Sequence, residues 1–182
     1  MIETARLLLR PWKPDDRAHI TAHLNTHGVM RWIGALQTAE EVDAMYERVT
    51  LAQAKHGFSF WAVERREDAE FLGICGLKIA NARNCPVADE IEVGWRFRED
   101  SWGKGYAREA AAASLAFAFD ELSAPRVVAF TVRQNEASWG LMRRLGMTER
   151  VEYAFDDPDY SAELNPTVVY VIEAETWRSQ TS

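Results

Sequence analysis

Apolar residues recur along the chain with two different spacings, and each change of spacing marks an element. Arg6-Leu-Leu-Leu-Arg10 is a short apolar run closed by Pro11. It predicts a first strand, since proline cannot donate to a ladder. Pro14 followed by Asp15 and Asp16 predicts a helix start, with proline tolerated in the first turn and acids facing the positive end of the dipole. This helix is expected to run to about Thr26, near Gly28. Thr38-Ala-Glu-Glu41 has the form of a capping box, and Val42, Met45, Val49 and Ala52 behind it are spaced for one buried face that Gly57 closes. The stretches 58–66 and 71–79 flank the polar Glu67-Asp-Ala-Glu70 and predict an antiparallel hairpin.

From Glu90 to Arg98 the pattern alternates, with Glu90, Glu92 and Arg96 on one face and Ile91, Val93, Trp95 and Phe97 on the other. A glycine-bearing loop then opens an alanine-rich helix from about Tyr106 to Leu122. Pro125 precedes an apolar strand, Arg126 to Val132. A short helix follows from about Glu136 to Leu145, with Gly146 as its stop. Two last strands are predicted near Met147 to Phe155 and Thr167 to Glu175, on either side of an acidic loop. The order β-αα-βββ-α-β-α-ββ, with about seven strands and about four helices, describes a mixed α/β single domain over residues 1–182, without repeats or a linker.

Composition narrows the function classes. Among 182 residues, 28 acidic side chains against 21 basic ones give a net charge of −7, which argues against a nucleic-acid binder and suits a cationic partner. No apolar run approaches the span of a bilayer, and Leu7-Leu8-Leu9 is too short for a secretory signal, so a cytoplasmic protein off the membrane is expected. Cys75 and Cys85 lack CxxC spacing and are read as reduced structural thiols. His19, His23 and His27 fall at i, i+4 and i+8 but without HExxH, so they predict a solvated face and no metal. Trp12, Trp61, Trp95, Trp139 and Trp177 occupy apolar positions of the kind that fill cores.

The segment most suggestive of chemistry is Ser101-Trp-Gly-Lys-Gly-Tyr-Ala-Arg-Glu109, which joins a strand to a helix N-terminus. Glycines there let successive backbone N–H groups approach a ligand, and the helix dipole favours an anion such as pyrophosphate. A Walker A loop is excluded, because Lys104 is followed by Gly105 and not by Ser or Thr; a dinucleotide fingerprint fails at Arg108, where glycine would be required. A plain glycine-rich turn before a helix remains the alternative.

Further blocks stand in register with this loop. They are Glu92-Val-Gly-Trp-Arg-Phe97, Phe130-Thr-Val-Arg-Gln-Asn135-Glu-Ala-Ser138 and Leu145-Gly-Met147, together with Glu3 to Pro11 and Val29-Met-Arg-Trp-Ile-Gly34 near the start. In spacing and order they resemble the GCN5-related N-acetyltransferases, and within them the branch of ribosomal-protein N-terminal acetyltransferases. The resemblance implies a mostly antiparallel twisted sheet, splayed at an acyl-CoA site. It further implies transfer of an acetyl group from acetyl-CoA, with no metal, to a primary amine of a peptide N-terminus or a small molecule. The amine would attack directly through a tetrahedral intermediate.

On this resemblance Gly103, Lys104, Gly105, Tyr106, Ala107 and Arg108 hold the CoA pyrophosphate, with Trp102 at a position where the family has Gln or Arg. The backbone of Trp95, Arg96 and Phe97 pairs with the pantetheine arm and acetyl carbonyl, and Asn135 bonds the pantetheine, unless it serves only as a helix cap. Glu92 matches the glutamate that relays the amine proton, although a solvated strand carboxylate would also fit it and Glu90 alike. Phe130 closes a second route, in which a glutamate precedes the asparagine by five positions. Ser138 matches a serine that stabilises the leaving thiolate. Many members use a tyrosine seven residues after the asparagine for that purpose; here it is Met142, which has no proton to give.

Trp32 is expected in one wall of the acceptor site, and Asp156, Asp157, Asp159 and Glu163 in another that attracts a cationic amine. An acyl-CoA-binding regulatory module without turnover is the alternative that Met142 motivates. The sequence leaves monomer and homodimer open.

Overall fold

The computed structural model describes residues 1–181; Ser182, the last residue of the expected domain, lies outside them. Eight strands and six α-helices are present among the described residues, one strand and two helices more than the sequence pattern predicts. The strands are β1 (Ile2–Glu3), β2 (Leu7–Arg10), β3 (Phe60–Arg65), β4 (Phe71–Ile79), β5 (Ile91–Phe97), β6 (Arg126–Val132), β7 (Thr148–Glu149) and β8 (Thr167–Glu173). Their hydrogen-bonded order is β1-β2-β3-β4-β5-β6-β8-β7. The pairs β1–β2, β2–β3, β3–β4, β6–β8 and β7–β8 are antiparallel, and β5–β6 is parallel.

The helices are α1 (Asp16–His19), α2 (His27–Met30), α3 (Ala39–His56), α4 (Tyr106–Asp120), α5 (Glu136–Arg144) and α6 (Ala174–Thr181). The chain packs as two compact units, Met1–Lys78 with Gly94–Ser114, and Ile79–Val93 with the residues from Leu115 onward.

In the first unit, the single helix expected from Pro14 to Thr26 is three short pieces. After α1 the backbone widens into a π turn at Ile20–Leu24, closed by the Asn25 N–H donating to the Ile20 carbonyl at 3.0 Å. Thr26 then caps α2, accepting from the Val29 N–H. His27 therefore opens a separate helix, while His19 stacks between His23 and Phe71, at 6.1 and 5.2 Å between ring centroids. No cluster of metal-ligating side chains occurs among the described residues.

The expected capping box forms. The Thr38 hydroxyl accepts from the Glu41 N–H and the Glu41 carboxylate accepts from the Thr38 N–H, while Gly57 ends α3 in the left-handed conformation. Val42, Met45 and Val49 of α3 pack with Trp12, Ile20 and Phe71 into this unit's core.

In the second unit, β6 and β8 pair along their whole length from Arg126↔Glu173 to Val132↔Thr167. A small core forms around Val128, Val169, Val171 and Phe155. The strand expected at 147–155 is shorter than its pattern. β7 pairs only through Thr148 and Glu149, a 3-10 turn occupies Val151–Tyr153, and Phe155 returns as an isolated bridge to Thr167. No helix among the described residues is long and apolar enough to cross a membrane.

Candidate functional site

The glycine loop of the first unit lies between a 3-10 turn, Glu99–Ser101, and α4. Ser101 is buried, with its hydroxyl donating to the Arg98 carbonyl, and the half-exposed Trp102 donates its indole N–H to the Phe97 carbonyl at 2.8 Å. Gly103 and Gly105 have φ of 74° and 80°, a region in which a Cβ is costly. A Cβ at Gly103 would meet no atom within 4 Å. The exposed backbone of 103–105 leading into the first turn of the 15-residue α4 therefore offers open space and oriented N–H groups, which suits a diphosphate.

A brace holds this loop from the N-terminal strands. Glu109 accepts from the Thr4 hydroxyl (2.6 Å), the Arg6 backbone N–H (2.8 Å) and Arg6 Nε (2.7 Å). Arg6 Nη1 donates to the Lys104 carbonyl, and its guanidinium lies 4.7 Å above the Tyr106 ring. Burial alone would raise the Glu109 pKa, but the bonds from Thr4 and Arg6 outweigh it and hold the carboxyl below its ordinary range. Sequence reasoning missed this brace, because Arg6 and Glu109 are 103 residues apart and neither pattern points at the other.

On β5, Phe97 is buried and Trp95 and Arg96 are half-buried. The neighbouring β4 comes so close that a Cβ at Gly73 would collide with the Arg96 carbonyl oxygen, which explains glycine at that position. The Arg96 guanidinium reaches Met30 Sδ at 3.0 Å and Met45 Sδ at 3.2 Å. Trp32 is half-buried in the turn after α2, with the Arg31 guanidinium 4.4 Å from its ring centroid. Cys75 of β4 is fully buried beside the Ser114 hydroxyl, and burial pushes its thiol up to about 12.

In the second unit the structure separates the two glutamates that the sequence left equivalent. Glu90 accepts from Arg126 Nε at 2.7 Å, and Glu92 is 7% exposed at the register pair Glu92↔Val128. Asn135 caps α5, accepting from the Ser138 N–H, and also donates Nδ2 to the Thr131 hydroxyl at 3.0 Å. Its amide nitrogen carries a second N–H besides the one given to Thr131. Ser138 is half-buried in the first turn of α5, and Met142 is buried in the same helix.

The acidic segment is less open than expected. Asp157 is buried, its Oδ1 accepting from the Asp159 N–H while Asn165 ties its backbone on both sides. Asp157, expected in the acceptor wall, thus has one carboxylate oxygen engaged by its own turn. Asp159 pairs with Arg83, and Asp156 and Glu163 are exposed. Tyr160 is the residue that charge counting overlooked. Burial, and after it the negative fields of Asp157, Glu92 and Asp159, raise its phenol above the ordinary value and keep the proton on it.

Comparison with known proteins names the class. Residues 6–148 match the model of the acetyltransferase (GNAT) domain, and the chain belongs to the GNAT family of N-acetyltransferases. Acetyl-CoA is the donor this family uses. Among relatives, the uncharacterized protein YkkB of Bacillus subtilis is 30% identical over 145 residues, covering 79% of this chain and 83% of that protein. The FsC-acetyl coenzyme A-N(2)-transacetylase of Aspergillus fumigatus is 29% identical over 184 residues, covering 97% and 77%. In structure the chain is similar to the acetyltransferase from Agrobacterium tumefaciens, with a TM-score of 0.80 at 24% identity over 94% and 93% of the two chains. It is also similar to the spermidine N-acetyltransferase of Vibrio cholerae in complex with CoA and spermine, with a TM-score of 0.76 at 16% identity over 96% and 99%.

Proposed function

We propose that the protein transfers an acetyl group from acetyl-CoA to a primary amine by direct attack of the neutral amine on the thioester. The observation that carries this reading is the open, left-handed glycine loop at the start of α4, a shape suited to the diphosphate of CoA. In this reading the residues 103–108 hold the pyrophosphate and the backbone of Trp95 to Phe97 meets the pantetheine arm, its N–H groups stabilising the oxyanion. The remaining Asn135 N–H bonds the same arm. Asp156 and Glu163 draw the acceptor's ammonium by their field, and Trp32 lines the acceptor's approach. The spacing of Asn135 to Ser138 and the stretch around Trp32 support placement in the ribosomal-protein N-terminal acetyltransferase branch.

Deprotonating the amine sets how much a base must do. At pH 7 a lysine-like amine costs about 4.6 kcal/mol to neutralise, and an α-amino group only about 1.4 kcal/mol. Glu92 is assigned the proton relay, since its strand leads to Trp95 to Phe97 and it matches the family's glutamate there. Ser138, in the first turn of α5, is assigned the departing thiolate, since Met142 carries no proton.

Thiol release from acetyl-CoA with a panel of peptides, polyamines, aminoglycosides and amino acids tests the reading. Turnover with an amine is expected, and Glu92→Gln is expected to slow it by about 10² to 10⁴, most at low pH where neutral amine is scarce. Turnover by Glu92→Gln equal to that of the parent across the pH range overturns the base assignment. An acetyl-CoA-dependent rise in Tm without turnover of any amine favours the non-catalytic acyl-CoA-binding alternative.

A further inference from the structure

The acyl-transfer reading uses Arg96 through its backbone alone. Its side chain enters the layer formed by α2 and α3 and ends against two thioether sulfurs, Met30 Sδ and Met45 Sδ. A guanidinium carries five N–H donors and a full charge, and a thioether is a weak, neutral acceptor. Among the described residues no carboxylate pairs with Arg96, and burial is the sole influence on its pKa, lowering it to about 10. It is therefore protonated at neutral pH and carries the cost of desolvation without a counter-charge.

The other strand arginines withdrawn from solvent are treated differently. Arg10 is paired with Asp16 and Glu64, Arg65 with Asp68 and Glu70, and Arg126 with Glu90. A fork of donors seated among polarizable methionines, which repack easily, has the chemistry of a receptor for a planar anion.

We propose that Arg96 receives a carboxylate of the substrates, carried by the amine acceptor or by the acyl group of the donor. The proposal rests on the acyl-transfer reading and narrows it to substrates of one charge class. A carboxylate-bearing acceptor is an amino acid or a short peptide. A carboxylate-bearing acyl group is that of a dicarboxylic acyl-CoA such as succinyl-CoA.

The test compares dipeptides with dipeptide amides, whose amines ionise alike, using acetyl-CoA and then succinyl-CoA as donor. Parent protein, Arg96→Met and Arg96→Lys are measured side by side. A carboxylate on the acceptor predicts that the dipeptide exceeds its amide in kcat/KM by at least about tenfold, the yield of one charged hydrogen bond. The ratio falls to about one in Arg96→Met and is partly kept in Arg96→Lys. A carboxylate on the acyl group instead predicts a similar preference for succinyl-CoA over acetyl-CoA on the amides, lost in the same variant.

Melting gives a second readout. Arg96→Met raises Tm by removing an uncompensated charge, and the preferred carboxylate compound raises Tm of the parent but not of Arg96→Met. Ratios near one with both donors, or a lowered Tm in Arg96→Met, overturn the proposal. If no acceptor turns over, the carboxylate-dependent Tm shift decides alone: its presence in the parent and loss in Arg96→Met upholds the proposal, and its absence overturns it. Failure of the acyl-transfer reading is distinguished by the absence of any acetyl-CoA-dependent shift in the parent.

Discussion

Arg10 and Arg96 belong to strands of the same compact unit, and both are withdrawn from water, but their surroundings are opposite. Arg10, 6% exposed, grips both carboxylate oxygens of Asp16 at 2.8 Å and reaches Glu64 Oε1 at 2.6 Å, while Asp16, itself 2% exposed, also accepts from the Lys13 N–H. Arg96 meets only methionine sulfur. The first cluster closes its own charge and fixes where the chain leaves β2 for α1. The second carries its charge with no carboxylate partner among the described residues. A compensated arginine holds the fold, whereas an uncompensated one stands ready for a ligand and weakens the fold that carries it.

The sharpest way to break this contrast is to remove the partner of the closed arginine. Asp16→Asn is expected to cost about 1.5 to 3 kcal/mol in denaturant unfolding, because it takes the two-point partner from a buried guanidinium and leaves it to Glu64 Oε1. A loss below about 1 kcal/mol would place Arg10 in the same class as Arg96. A smaller effect comes from acid. Burial would raise the Asp16 pKa, but its bonds to Arg10 and the Lys13 N–H win and lower it, so the stability it contributes is complete above the unfolded aspartate value near 3.9. That contribution is lost as pH falls through the lower folded value, so the parent is expected to lose more stability than Asp16→Asn on titration from about pH 5 downward. The smallest effect belongs to the surface pair Arg17–Asp43, 3.2 Å apart. Asp43→Asn is expected to stay within about 0.5 kcal/mol, which calibrates the other two measurements.

Much of this architecture was legible in the sequence wherever one local rule decided the outcome. The capping box at Thr38, the hairpin strand Phe71–Ile79, the apolar strand Arg126–Val132 and the left-handed stop at Gly146 follow from local rules, and the structure has them. What escaped was decided at long range or by backbone that departs from the α period. The Arg6–Glu109 brace joins residues whose local patterns are unrelated. The two-residue β1 is too short to show alternation, the strand predicted to Phe155 stops at Glu149, and α6 follows β8 without a loop to announce it. In the candidate site, the glycine loop was visible because positive φ demands glycine. The burial of Asp157 was not visible, because a carboxylate in a sequence carries no mark of whether its own turn will use it. Arg96 showed only its place on a strand face, and its methionine neighbours lie 66 and 51 residues away.

The π turn at Ile20–Leu24 bears on how this chain should be lined up with its relatives. A bond from residue i+5 to residue i encloses one residue more than the α turn it replaces, so the turn has the form of a single-residue insertion absorbed without breaking the chain's path. Asp16 on one side and Thr26 on the other are pinned, the first by Arg10 and the second by its cap on α2. A relative shorter by one residue in this stretch would close an ordinary α turn between the same two anchors. The gap in such an alignment belongs within residues 20–24, with the partners of Asp16 and Thr26 kept in correspondence.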